Sequence, residues 1–170
     1  DRLLRPLLEK QMLLLATDSD LLAAEYQKKT NLAFTVLPIP HTTNTFGGLM
    51  HTTRRHGAVQ IAYLGDARLE KGVDILAEAI CYLDPEIKGK KIRLLIQCSV
   101  VIPEPQVIEV VRRLKATASM YNDGISLLHE GLSSSDYYRL LLESDIIVLP
   151  YRKSRYLYRT SGILVEAFTA

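Results

Sequence analysis

Hydrophobic positions alternate along most of the chain between short runs and helical stripes. Residues 59–64 form a run, apolar apart from Gln60, closed by Gly65; 92–98 are apolar apart from Arg93 and Gln97; 125–128, apart from Ser126, and 146–149 are two further runs. Runs of this length between turn residues predict strands, and one as continuously apolar as 92–98 predicts a strand covered on both faces. Between them Val73, Leu76, Ala79, Ile80 and Leu83 recur at the i, i+3, i+4 spacing of a helix with one core-facing stripe. Pro105 is placed for the first turn of a helix whose Val107, Val110, Val111 and Leu114 share a face. A third helix is predicted near 135–143, with Ser133 and Asp136 at capping-box spacing, and residues 160–170 read as the start of another.

The first part of the chain reads differently. Residues 2–15 are Leu-rich and mostly helical in pattern, running into an apolar stretch at 12–16 that can end as a short strand. Thr17 and Asp18 offer N-cap oxygens for a helix reaching about Lys29, with basic residues near its end, where the helix dipole favours them. Residues 34–37 read as a strand stopped by Pro38 and Pro40. From 41 to 57 the composition shifts to Thr, Asn, Gly, His and Arg, a linker and domain boundary. The expected fold is α/β: a Rossmann-like open parallel sheet with helices on both faces, built from β-α-β units. Ligands of such sheets bind beyond the carboxyl ends of the strands, so the loops that start at Gly65, His129 and Pro150 are where chemistry is expected.

Composition narrows the class without naming a partner. The 170 residues are 48% hydrophobic and 24% charged, with 9 Gly and 7 Pro, which excludes disordered and collagen-like chains. A balance of 21 basic against 19 acidic residues leaves +2, so a basic partner site must be local. No window approaches the ~18 uninterrupted apolar residues of a membrane span, and the start lacks the layout of a signal peptide. Cys81 and Cys98 form no CxxC and are expected to be buried free thiols in a reducing, cytoplasmic setting, with peripheral membrane association left open. Asp1 is not an initiator Met, and an amphipathic pattern is still running at Ala170; an excerpt from a longer protein is expected, with the second domain incomplete at its C-terminus.

Two loops carry candidate phosphate chemistry. In 65–72, GDARLEKG, the glycine allows a tight turn, and Arg68 and Lys71 lie three apart at a helix start, where both can point at one anion beside free N–H groups. A tight turn with solvated charges is the alternative; neither a dinucleotide fingerprint nor a P-loop is matched. In 160–167, TSGILVEA, Ser161 and Gly162 at a helix start can offer N–H groups and a hydroxyl to a phosphate. Glu166, one turn on among apolar residues, is costly to bury unless it accepts hydrogen bonds, which a sugar diol would supply; an internal salt bridge is the alternative. His41, His51, His56 and His129 lack metal-ligand spacing.

Three segments in this order carry a family resemblance: 61–80, IAYLGDARLEKGVDILAEAI; 144–151, SDIIVLPY; and 160–170, TSGILVEAFTA. Together they resemble the donor half of GT-B glycosyltransferases of the group 1 retaining family, and 16–42 resembles the end of that family's acceptor domain and the crossing into its second domain. The resemblance implies that 1–40 is the tail of an N-terminal acceptor domain, 41–57 a linker, and 58–170 a nucleotide-sugar-binding domain. The implied substrate is a nucleotide-diphosphate sugar, used in polysaccharide or glycoconjugate synthesis, with a saccharide or lipid-linked acceptor held by the N-terminal domain; neither a cofactor nor a metal nor a nucleic acid is expected.

The family's G-R-x-x-x-x-K-G turn maps onto 65–72, so that Gly65, Lys71 and, at a shifted position, Arg68 would contact the diphosphate with Ser161 and Gly162; Asp66 occupies the family's Arg position. The E-x7-E motif puts its ribose-binding second Glu at Glu166, while its first Glu position holds Tyr158, leaving Tyr158, Arg159 and Thr160 as candidates toward the donor sugar. His129, Glu130 and Gly131 lie in the loop that sits near the base in the family, or form a structural turn. No residue here matches the family's acceptor-domain His, so the excerpt by itself is expected to bind donor and transfer little or nothing. The departures at 66 and 158 leave room for a non-catalytic nucleotide-binding domain. Residues 151–159, YRKSRYLYR, with four basic residues and three tyrosines, read as a donor-site loop, a solvated loop or a single-stranded nucleic-acid segment.

Overall fold

A computed structural model describes residues 3–40 and 57–170; the predicted linker, 41–57, lies outside the described residues except at Gly57. The first segment holds a helix, α1 (Arg5–Glu9), and a small parallel pair, β1 (Ala16–Thr17) and β2 (Thr35–Val36), bridged by α2 (Asp20–Thr30). The cap of α2 is Ser19, whose hydroxyl accepts from Leu22 N at 3.3 Å, rather than Thr17 or Asp18. Thr17 sits in β1, where its hydroxyl is spent on Ser19 O at 3.1 Å. Lys28 and Lys29 occupy the last turn, and Asn31 closes it in the left-handed conformation.

The second segment is a four-stranded, all-parallel sheet in the order β5-β4-β3-β6, made of β3 (Val59–Tyr63), β4 (Ile92–Gln97), β5 (Ile125–Leu128) and β6 (Ile146–Ile147). Val59 pairs with Ile92 and Tyr63 with Ile96; Leu94 pairs with Ile125 and Ile61 with Ile146. Alternation along the strands divides the core into two faces. Tyr63, Leu94, Ile96 and Ile125 pack with Val73, Leu76 and Ile80 and with Val107, Val110, Val111 and Leu114. Those seven come from α3 (Val73–Ala79), the 3-10 turn after it, and α5 (Pro105–Ala118). Ala62, Leu64 and Leu95 pack on the opposite face against Leu141 of α6 (Ser134–Glu143) and Ala167 of α8 (Gly162–Thr169). Each fully buried Val, Leu or Ile contributes ~1.5–3 kcal/mol of transfer free energy.

The predicted stripe from Val73 to Leu83 is real but is not one helix. After Ala79 the chain tightens into a 3-10 turn, Ile80–Leu83, and restarts as α4 (Asp84–Lys88) with Pro85 in its first turn. Pro85 has no N–H to continue the ladder. Cys81 falls in this tightened turn and is exposed, not buried, whereas Cys98 is buried as expected. Regular β6 is also shorter than predicted. Among the described residues it pairs with β3 alone; Val148 N still donates to Ala62 O at 2.8 Å, but Pro150 and a turn from Tyr151 N to Leu149 O end it. Among the described residues no helix is long and apolar enough to cross a membrane.

Gly72 joins the two sides of the sheet's carboxyl edge. Its φ of +75° is left-handed, and a Cβ there would lie 2.0 Å from Pro150 O. Gly72→Ala therefore combines backbone strain with a backbone clash and is expected to destabilise by about 2 kcal/mol or more. Thermal or urea unfolding measures this; an unchanged midpoint would show that the two loops are free to separate.

Candidate functional site

The carboxyl ends of the strands deliver their loops to one edge, where a cleft of about 520 Å³ is lined by residues from four of them. From β3 come Gly65 and Lys71; from β4, Gln97; from α6, Ser134, Tyr137 and Tyr138; and from the region after β6, Tyr151, Tyr156, Thr160, Ser161, Gly162, Ile163 and Glu166. Of the residues proposed from the sequence, Gly65, Lys71, Thr160, Ser161, Gly162 and Glu166 are brought together here. Arg68 and Arg159 are linked to the cleft through ion pairs, Tyr158 is exposed, and His129, Glu130 and Gly131 do not line it. His129 Nδ1 instead lies 3.1 Å from Cys98 Sγ across the ends of β5 and β4.

The glycine loop is held by its backbone. Gly65 N donates to Gln97 Oε1 at 2.7 Å, and Ala67 N donates to Ser99 O at 2.8 Å. A Cβ at Gly65 would meet Ile163 Cδ1 at 2.8 Å and Lys71 Nζ at 3.2 Å, so the bare glycine is what lets the lysine ammonium and α8 close on the loop. A 3-10 turn, Leu69–Lys71, then swings Lys71 back toward the strand end.

The charges of this loop are paired with one another. Asp66 Oδ1 accepts from Lys71 Nζ, and Oδ2 accepts from Arg68 Nε. Arg68 Nη1 reaches Glu70 Oε1 at 3.4 Å, and Glu70 Oε2 takes Arg159 Nη1 at 3.4 Å. Burial pushes the Asp66 carboxyl up, but hydrogen bonds from Lys71 and Arg68 outweigh it and hold the group below the ordinary carboxylate range. The same bond to Asp66 raises the Arg68 guanidinium.

Glu166 is treated differently. It accepts from Tyr137 Oη at 2.6 Å and from Tyr138 Oη at 3.4 Å, so its internal partners are two neutral phenols rather than the expected rival, a salt bridge. Burial, with the bond to Glu166 second, pushes the Tyr137 phenol far up, and it stays protonated as a donor throughout the physiological range. Ser161, buried at the cleft floor, caps α8 by accepting from Leu164 N at 3.3 Å, and its Oγ lies 3.0 Å from Tyr151 Oη. Val165 N bonds Ser161 O, so the N–H groups of Gly162 and Ile163 remain at the helix start beyond the intrahelical ladder.

Residues 151–159 fold over the glycine loop. Arg152 N donates to Glu70 O at 3.0 Å, Arg152 Nε to Leu69 O at 2.9 Å, and Arg152 Nη2 to Asp74 Oδ2. The short helix α7 (Lys153–Tyr156), not foreseen from the sequence, turns Tyr156 back onto Tyr151, with ring centroids 4.1 Å apart. Gln97 also went unrecognised as a site residue, although it is the one polar residue at the far end of an apolar strand. The tyrosines of α6 had a weaker signal: two phenols on a helix whose other inward residues are Leu. Among the described residues no three His, Cys, Asp or Glu side chains gather as a metal site would require.

No family model and no curated protein matches this sequence. Solved structures match its fold. A trehalose-6-phosphate synthase from E. coli bound with UDP-2-fluoro glucose aligns with a TM-score of 0.60 at 14% identity, over 81% of this chain and 34% of that one. A UDP-forming α,α-trehalose-phosphate synthase from Burkholderia xenovorans aligns at 0.61 with 13% identity, over 81% and 35%. The catalytic domain of starch synthase IV from Arabidopsis thaliana, bound to ADP and acarbose, aligns at 0.58 with 12% identity, over 81% and 34%. The chain has the fold of a GT-B C-terminal domain. It spans about a third of the length of the structures it matches.

Two outcomes test the electrostatics of this domain. The folded-state pKa of Asp66 lies below its ordinary value of 3.8, so the stabilisation from its ion pairs is complete at neutral pH and is lost as pH falls below 3.8 through the folded value. Unfolding free energy is expected to fall more steeply over that interval in the unaltered chain than in Asp66→Asn; parallel curves would mean the pairs contribute nothing. Tyr137→Phe removes the shorter donor to Glu166 and is expected to lower stability by about 1–2 kcal/mol in urea unfolding.

Proposed function

We propose that this chain is the donor domain of a glycosyltransferase, binding a nucleotide-diphosphate sugar for retaining, metal-independent glycosyl transfer to a saccharide or lipid-linked acceptor held by a partner domain. The observation that carries the reading is the meeting, in one cleft, of Lys71, the start of α8 at Ser161 and Gly162, and Glu166. These supply the two kinds of group such a ligand needs: donors for an anionic diphosphate and a carboxylate acceptor for a ribose diol.

In the proposed reaction the bond between the anomeric carbon and the diphosphate oxygen breaks, and its electron pair leaves on the diphosphate. Catalysis requires groups that hold this charge more strongly in the transition state than in the bound substrate. Lys71 and Arg68 provide cations, and the Gly162 and Ile163 N–H groups provide fixed dipoles at a helix start. Glu166 orients the nucleoside, leaving the leaving group over Lys71. Thr160 lines the same cleft, and with Tyr158 and Arg159 preceding it would face the donor sugar. His129 to Gly131 contact the base only if the nucleoside reaches past the cleft toward the end of β5.

A second reading, a nucleotide-binding domain without transfer activity, draws support from Asp66 and Tyr158, which stand where the resemblance expects an Arg and a Glu. Turnover of a nucleotide sugar by the full-length protein separates the two. The donor reading itself is tested by calorimetric titration with UDP, GDP and ADP. One of them is expected to bind, with Lys71→Ala and Glu166→Ala each costing about 1.5–3 kcal/mol, the worth of a hydrogen bond to a charged group. Binding that ignores both substitutions would place the nucleotide elsewhere.

A further inference from the structure

The residue that departs most from the resemblance sits at the centre of the charge cluster. Asp66 stands where an arginine would face the diphosphate, and each of its carboxylate oxygens accepts from one of the two cations assigned to that ligand. The contact is sheltered: the Asp66 and Lys71 side chains are 14% and 13% exposed, where salt and water screen less than at an open surface. Cations and carboxylates alternate from Lys71 through Asp66, Arg68 and Glu70 to Arg159. A cluster with an arginine at position 66 would carry two more units of positive charge.

We propose that Asp66 is a resident counter-ion of the phosphate site, competing with the diphosphate for Lys71 and Arg68 and thereby setting its affinity and its selectivity. The inference rests on the donor reading above. A phosphate oxygen that binds Lys71 must displace an acceptor the lysine already has, so its net gain is smaller than it would be at an unpaired ammonium. A singly charged anion therefore has no advantage over Asp66. A diphosphate does, because it brings several charged oxygens, can take Lys71 and Arg68 together, and reaches the α8 N–H groups that Asp66 does not occupy. The counter-ion also keeps the sheltered Lys71 ammonium paired beside the cleft, where the cost of an unpaired cation rises as water is excluded.

Calorimetric titration of the purified chain with UDP, GDP, ADP and inorganic pyrophosphate, on the unaltered protein, Asp66→Asn and Asp66→Ser, tests this. Asparagine keeps the size and one acceptor oxygen and removes the charge; serine removes the charge and the reach. The matching nucleoside, which has no phosphate, is titrated in parallel, and its binding identifies a variant whose cleft is intact. Nucleoside diphosphate and pyrophosphate are expected to bind about tenfold or more tightly to the variants, the effect of releasing one charged hydrogen bond per cation, with nucleoside affinity unchanged. Equal or weaker diphosphate binding in a variant that holds the nucleoside as well as the unaltered chain does overturns the counter-ion role and leaves the donor reading standing. If no diphosphate binds the unaltered chain or either variant, the donor reading falls and this inference with it.

Discussion

The parallel ladder between β3 and β4 is the constraint from which the arrangement of the cleft follows. Five consecutive residue pairs, Val59 with Ile92 through Tyr63 with Ile96, align the two strands so that both end at the same edge. Parallel neighbours cannot be joined by a tight turn; each needs a crossover of a dozen or more residues. The chain spends residues 64–91 on the first crossover and 98–124 on the second, and their helices cover one face of the sheet. Covering both faces makes the strands almost wholly apolar, which leaves Gln97 conspicuous. Its amide carbonyl lies where β4 ends and accepts from Gly65 N, tying the start of the glycine loop to the neighbouring strand.

Within the cleft the two carboxylates are satisfied by opposite means, and this separates its charge. Asp66 is matched by cations, so its charge is cancelled locally. Glu166 is matched by the phenols of Tyr137 and Tyr138, which satisfy hydrogen bonds without contributing positive charge. Satisfying a half-buried carboxylate in this way leaves its charge uncancelled, which costs more than pairing it with a cation unless something else gains from that charge. A carboxylate has about four lone-pair sites, and the two phenols use two. The remainder is available to a hydroxyl-rich ligand, the role proposed here for the nucleoside ribose.

The fold was legible wherever a local pattern is reinforced by the core. The runs of β3, β4 and β5, the amphipathic stripe of α5 and the Ser133 cap all reflect burial or capping that acts within a few residues, and the structure repeats them nearly to the residue. The departures arise where a longer-range contact decides. Thr17 was available as a cap until strand pairing placed it in β1, and α7 follows Arg152, whose backbone and side chain find partners on a loop some eighty residues earlier. The site follows the same division. Lys71, Ser161 and Glu166 announce themselves by position in a motif, whereas Asp66 as a clamp and Tyr137 as a donor are defined only by what folding brings beside them.

These contacts also determine which part of the site can adapt. The glycine loop is fixed from three directions: Gln97 and Ser99 hold it at the end of β4, Pro150 closes against Gly72 from the end of β6, and Arg152 bonds the Leu69 and Glu70 carbonyls from above. All of these restraints act on the loop's backbone, and a glycine at φ +75° against a carbonyl oxygen leaves little room for the loop to shift. Lys71, Arg68, Asp66 and Glu70, by contrast, are held chiefly by each other. A ligand entering this cleft therefore meets a backbone already in place and a set of ion pairs that must be re-partitioned. On the counter-ion role proposed for Asp66, the free energy of binding would be governed by an exchange of partners among side chains, sensitive to the charge at position 66 and insensitive to loop closure.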